Sequence, residues 1–255
     1  MIEAIGRKIL SIAQTAGEMV LLFLETVFYF KEAPWNLRSI FRQMNEIAIN
    51  TLPIAILMAF FVGMVLALQT GVQLALYGTQ EAIGAIVGLS MIKELGPVMT
   101  SLLVAGRVGS SMAAEVGAMK VYEEIDALKT LDISPVRYLA MPRLLACIFS
   151  VPALVVFAIL VGMAGGAMVS SVNPQINVPV NVYYENLVQT LDVYDVFRGL
   201  VKSTVFGGII AHVGCYVGFK TTGGAEGIGQ ATTRSVVMAF VLIMVADYFI
   251  TRLMM

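Results

Sequence analysis

The sequence predicts an all-α integral membrane protein with five transmembrane helices, an N-terminal amphipathic helix in the membrane interface and a further helix on the cytoplasmic side. Three observations predict it. Of 255 residues, 58% are apolar and only 13% charged, more apolar and less charged than a soluble domain of this size requires. Uncharged stretches recur at lengths that cross a bilayer, since about 20 residues rising 1.5 Å each span the roughly 30 Å hydrocarbon core. The charged residues cluster between those stretches. A net charge of −1 argues neither for nucleic acid nor for an acidic substrate.

The elements follow in order. In residues 1–30, Ile2, Ile5, Ile9, Ile12, Ala16, Met19 and Val20 recur at helical spacing, opposite Glu3, Arg7, Lys8, Ser11, Gln14 and Glu18. Such a two-faced helix suits the membrane interface. Arg38, Arg42 and Trp35 lead into the first span, the Trp as an interfacial anchor. No charge occurs from Ile47 to Gln80, which predicts span one at about 47–68. Span two runs over about 82–106, span three over 144–170, span four over 200–219 and span five over 235–253. The polar segment 107–143 separates spans two and three, and the Gly-rich stretch "TTGGAEGIGQATTR" (221–234) reads as a loop between four and five. No repeat or soluble domain stands out, so 1–255 is expected as a single domain: 1–46 lead-in, 47–255 bundle.

Lys and Arg counts orient the chain. Arg7, Lys8, Lys31, Arg38 and Arg42 precede span one; Arg107, Lys120, Lys129, Arg137 and Arg143 lie between two and three; Lys220 and Arg234 lie between four and five. Loops 69–81 and 171–197 contain none. The N-terminus is therefore expected in the cytoplasm and the C-terminus outside. Gly84/Gly88, Gly162/Gly166, Ser203/Gly207/Ala211 and Gly214/Gly218 are spaced for close helix approach in lipid. Cys147 and Cys215 sit in apolar runs and read as small hydrophobes. With one His and two separated Cys, no metal site is expected from those residues.

Two segments break the pattern. "MIKELGPV" (91–98) puts Lys93, Glu94 and a Gly-Pro inside span two. A charge at the bilayer centre costs at least about 2.5–3.5 kcal/mol on insertion scales, so partners are needed. Neighbours on a helix point about 100° apart, so Lys93 and Glu94 cannot serve each other. By residue rise, Lys93 lies about 16 Å below the outer end of its span and Asp247 about 18 Å above the inner end of its own, a shared depth at which they can pair. Lys202 and His212 are candidate partners for Glu94. Pro97 removes the helix bond to the carbonyl of Lys93, and Gly96 loosens the turn. The second segment has an apolar series Met112, Val116, Met119, Ile125 and Leu128 within 112–131, with Glu115, Glu123, Glu124 and Asp126 on the polar side. A helix there is either a docking surface for a soluble partner or a solvated connector.

Enzyme signatures are lacking. "GLVKST" (199–204) has Val201 where a P-loop requires Gly, and Gly109-Ser110-Ser111-Met112-Ala113 lacks the last Gly of a nucleophile elbow. No catalytic residue and no cofactor are expected in this chain.

The stretches "FFVGMVLALQ" (60–69), "KELGPVMTSLLVAGRVGSSMAAEVGAMKVYEEIDAL" (93–128), "SPVRYLAMPR" (134–143) and "GGAEGIGQATTRSVV" (223–237) resemble the MlaE family, the permease subunits of ABC-type lipid transporters that work with MCE-domain proteins. The resemblance implies a homodimer in a bacterial inner membrane. It would carry phospholipid or a related lipid between that membrane and a periplasmic MCE assembly, maintaining outer-membrane lipid asymmetry. It further implies a separate cytoplasmic ATPase that binds ATP and Mg, with a small STAS-domain subunit as an optional partner. Segment 107–143 would supply the coupling helix, with Glu115, Met119, Glu123, Glu124, Asp126 and Leu128 facing the ATPase and Arg234 in support. Leu66, Leu74, Tyr77 and Leu95 match lipid-pocket positions, with Lys93 and Glu94 beside them; relatives commonly carry Arg at position 93, and Lys cannot grip a phosphate bidentately. Lys202, His212 and Asp247 would complete an intramembrane polar network. Two other readings of the same residues are a proton-coupled secondary transporter using Glu94, Asp247 and His212, and a purely structural membrane subunit.

Overall fold

The computed structural model describes residues 2–254, without the side chains of 2–6, 8, 9 and 12. The expected apolar positions Ile2, Ile5, Ile9 and Ile12, and Glu3 and Lys8 opposite them, lie outside the described side chains. The described residues are predominantly helical: α1 (Ile2–Phe28), α2 (Leu37–Leu76), α3 (Ile83–Ser90), α4 (Gly96–Val104), α5 (Ser110–Val121), α6 (Glu124–Thr130), α7 (Met141–Val172), α8 (Val180–Thr190), α9 (Val193–Phe219) and α10 (Gly224–Met254). Among the described residues, five stretches are long and apolar enough to cross a membrane: Ala13–Leu76, Gln80–Val121, Val136–Val172, Val193–Phe219 and Gly224–Met254. Large apolar side chains such as Leu57, Phe61, Phe157, Leu160, Val241 and Tyr248 face outward, while Lys202 and Asp195 are buried. That inversion suits a lipid surround.

The chain forms two compact units. The first comprises Met1–Gln43, Ala105–Cys147 and Gly208–Phe240. Here Val116, Ile125 and Leu139 form a small core with Met119, Leu128 and Phe219, and Val136, Ala140 and Cys215 form another against Leu22 and Tyr29 of the N-terminal region. Glu18 of α1 accepts the Tyr216 hydroxyl at 2.9 Å and pairs with Lys220 at 3.0 Å. Part of the polar stripe of α1 thus serves as a tether to the end of α9 rather than facing water.

The second unit comprises Met44–Val104, Ile148–Gly207 and Val241–Met255. Its helices touch at glycine. A Cβ on Gly84 would strike the carbonyl of Tyr183 in α8, and one on Gly166 would meet the Tyr183 hydroxyl at 2.7 Å and Val87 at 3.0 Å. The four-residue glycine spacing in α3 and α7 therefore marks real close approaches.

Three expectations need correction. Helix α2 is 40 residues long, about 60 Å at the standard rise, so the span expected at 47–68 is the middle of a longer rod. The supposed loop 221–234 is mostly helix: positive φ at Gly223 and Gly224 makes the turn, and α10 starts at Gly224. The helix expected over 112–131 is two, α5 continuing the second span and α6 following a corner at which Glu123 takes φ 60°. In the 171–197 connection the chain also forms α8, closed on its inner side by the buried Tyr183 and Leu187.

Candidate functional site: a widened helix turn and its ion pairs

Between α3 and α4 the helix widens into a π turn over Met91–Leu95. Proline explains it locally. Pro97 has no N–H to offer the carbonyl four residues back, that of Lys93, and its ring crowds that carbonyl. The amide of Gly96 instead bonds to the carbonyl of Met91, five residues back, a bulge of the kind found at functional positions. Gly96 is needed because a Cβ there would meet the Met91 carbonyl and Ile159.

The widened turn presents Lys93 and Glu94 to different partners. Lys93 pairs with Asp195 at the start of α9, Nζ to Oδ1 3.0 Å. The expected Lys93–Asp247 pair is not formed. A shared depth is necessary for pairing but does not settle azimuth, and the Lys93 side chain reaches α9 instead of α10. Asp195 also lies 3.7 Å from Arg198, whose guanidinium stacks over Tyr194 at 4.4 Å.

Asp247 is taken by Lys202, Nζ to Oδ1 2.8 Å, and the same ammonium meets Glu94 Oε2 at 2.7 Å and the Lys93 carbonyl at 3.0 Å. Lys202 is 3% exposed. The ammonium therefore hydrogen-bonds the Lys93 carbonyl and is charge-paired with two carboxylates. Thr251 closes the group, its hydroxyl 2.8 Å from the Asp247 carbonyl. Of the proposed polar network, Lys202 and Asp247 thus pair directly. His212 belongs to the first unit, its ring edge-on to Phe23 at 5.7 Å.

The remaining pocket candidates are placed as follows. Leu66 and Leu74 are half-buried on α2, Tyr77 follows its end at 81% exposure, and Leu95 is half-buried at the end of the π turn.

The cytoplasmic-segment candidates fall into three groups. Met119 and Leu128 pack on the α5–α6 core. Glu115 and Asp126 are held within the chain: Glu115 pairs with buried Arg143 at 2.9 Å, and Asp126 joins Lys120 at 3.0 Å to Lys129 at 2.9 Å. The hydrogen bonds from Lys129 and then Lys120 hold the Asp126 carboxyl below the usual aspartate range. Glu123 and Glu124 stand exposed at the corner beside Tyr122. Arg234 is exposed on α10, lining a cleft with Lys220, Thr221, Thr222 and Gln230.

Sequence reasoning missed Asp195, Arg198 and Arg143. The first had only a partial signal: Asp195 lies two turns before Lys202 on one face of a helix, but its partner is Lys93 of another helix, which spacing along α9 does not show.

Five apolar spans, one of them widened around buried ion pairs, define a polytopic membrane transport subunit. The chain belongs to the MlaE permease family, whose sequence model, described as Permease MlaE, matches residues 40–253. It is 39% identical over 250 residues to a probable ABC transporter permease protein of Rickettsia typhi, covering 98% of this chain and 96% of that one. It is 43% identical over 224 residues to a probable ABC transporter permease protein of a Synechocystis species, covering 86% and 82%. Identity is 30% over 254 residues, covering 99% and 97%, to the intermembrane phospholipid transport system permease protein MlaE of Haemophilus influenzae. The chain is therefore the non-catalytic, multi-pass permease subunit of an ABC transporter, with ATP hydrolysis on a separate subunit.

Proposed function

We propose that this permease moves phospholipid between a bacterial inner membrane and a periplasmic MCE-domain assembly, as a homodimer driven by a cytoplasmic ATPase that holds ATP and Mg. The observation that carries the cargo is the near full-length similarity to a permease of a phospholipid transport system. The geometry supports it: a half-exposed Lys93 and Glu94 give a wettable patch in an otherwise apolar span, as a headgroup requires, beside Leu95 for acyl chains. Leu66 and Leu74 of α2, and Tyr77 just past its end, are proposed to line the same pocket. The lysine and arginine distribution supports a cytoplasmic N-terminus and a periplasmic C-terminus.

The ATPase is proposed to dock on the corner Tyr122–Glu123–Glu124, with Met119 and Leu128 shaping the hairpin beneath it, Glu115 and Asp126 holding that hairpin in form, and Arg234 on the adjoining cleft. A small STAS-domain subunit is compatible with this arrangement and is read from the family resemblance alone. The test is purification of the native complex followed by lipid mass spectrometry and reconstituted transport of a labelled phospholipid. Co-purifying phospholipid and ATP-dependent transport are expected; a complex free of phospholipid that moves none would overturn the assignment.

A further inference from the structure

We propose that Lys202 does the work of the amide that Pro97 lacks, and so is the positioning residue that sets the widened turn at 91–96. A proline inside a helix leaves the carbonyl four residues back without its regular donor; here that carbonyl is Lys93 O. In lipid an unsatisfied backbone group costs several kcal/mol, so a donor must come from elsewhere. The Nζ of Lys202 lies 3.0 Å from Lys93 O. A lysine is the suitable residue, because its head carries three donors and no acceptor, and its charge is balanced by the carboxylates of Glu94 and Asp247, whose oxygens lie 2.7 and 2.8 Å from Nζ.

The two acids then acquire a specific task. A backbone carbonyl alone cannot hold an ammonium buried to 3% exposure; the carboxylates compensate the desolvation and keep the charge in place. The close approach of α9 adds a second tie at the same level, since a Cβ on Gly199 would meet the carbonyl of Ile92 and, at 3.6 Å, the ring of Pro97. Lys202 and Pro97 form one device: the proline opens the helix, and the lysine of α9 holds the opening at a defined width, with Lys93, Glu94 and Leu95 on its rim. This holds whatever the cargo is, and its test does not depend on lipid transport.

Two measurements decide it. The first needs no substitution in the turn. Protein labelled with lysine carrying 13C at the carbonyl and 15N at Nζ, purified as its complex and reconstituted in bilayers, should show dephasing of the Lys93 carbonyl by the Lys202 side-chain nitrogen. Absence of that dephasing overturns the proposal. The second is a thermal cycle. Lys202→Met alone strands two carboxylates, so the comparison uses the neutral variant Glu94→Gln/Asp247→Asn/Lys202→Met. Adding Pro97→Ala to it restores a donor to an orphaned carbonyl and should raise the melting temperature by at least about 2–4 °C more than the same change does in the wild type. In the wild type Lys202 already fills that role. An equal shift in both backgrounds overturns the proposal, because the proline would then act independently of the lysine.

Discussion

At the residue scale the deciding quantity is how completely each charge is enclosed. Lys202 is the most enclosed of the ion-paired side chains in the spans, at 4% side-chain exposure, against 45% for Glu94 and 39% for Lys93. Removing one member of a buried pair leaves its partner uncompensated and costs about 3–5 kcal/mol. Lys202→Met is therefore expected to lower stability by about that much. Glu94→Gln keeps an oxygen for Lys202 and should cost about 1 kcal/mol. Melting of the purified variants in one detergent checks both, and near-equal losses would show that burial is not what separates them. The same Glu94→Gln variant should retain most ATP-driven transport; its abolition in a folded complex would point to proton coupling through Glu94.

Asp126 offers a pH prediction outside the spans. Its folded carboxyl is lowered by hydrogen bonds from Lys129 and Lys120. The bridge therefore supports the α5–α6 hairpin fully above the unfolded aspartate value of about 4, and that support is lost as pH falls through the lowered folded value. Protease protection of the corner should weaken only below about pH 4, and Asp126→Asn should abolish that dependence.

At the scale of elements, the glycines of α3 differ in what they touch. A Cβ on Gly84 would strike the backbone carbonyl of Tyr183, whereas one on Gly88 would meet only side-chain atoms, those of Leu187 and, at 3.8 Å, the sulfur of Met163. Side-chain ends can move and carbonyls in a helix cannot, so Gly84→Ala is expected to cost about 1–3 kcal/mol and Gly88→Ala less. Protease sensitivity of α8 reports the difference, and equal sensitivity in the two variants would remove the argument. The spans were legible because long uncharged runs have few alternatives in lipid. Their ends were not, because a helix continues past the bilayer wherever side chains permit: α2 runs on to Leu76 and α10 begins at Gly224. Helix α8 escaped because its few inward residues, Tyr183 and Leu187, are too short a pattern to stand out. In the site, the need for partners at Lys93, Glu94 and Asp247 was readable from cost alone. The pairing was not: depth follows from counting residues, while azimuth depends on how α9 and α10 pack, and it gave Lys93 to Asp195 and Asp247 to Lys202.

At the scale of the whole molecule, the assignment makes cargo handling and ATPase docking separable properties. Glu123 and Glu124 stand exposed at a corner where Glu123 holds φ 60°, and neither packs on the core formed by Val116, Ile125 and Leu139. Reversing both charges, Glu123→Lys/Glu124→Lys, should therefore release the ATPase while fold and oligomeric state persist, since exposed substitutions away from such a core are usually within about 0.5 kcal/mol. Retention of the ATPase with normal transport would place the coupling surface elsewhere. Leu66→Trp and Leu95→Trp test the other half. Both side chains are half-buried, so each has room to fill on the side facing away from the protein. If that side is an acyl-chain pocket, the added ring occupies volume the lipid needs, and transport and co-purifying phospholipid should fall together while the ATPase stays bound. If it faces bulk lipid, a Trp is readily accommodated there and neither quantity changes. Photocrosslinking from position 95 separates these outcomes in the unsubstituted pocket: saturable capture of phospholipid that ATP turnover displaces supports the assignment, whereas unsaturable labelling with unimpaired transport in both Trp variants would place the lipid pathway on another face.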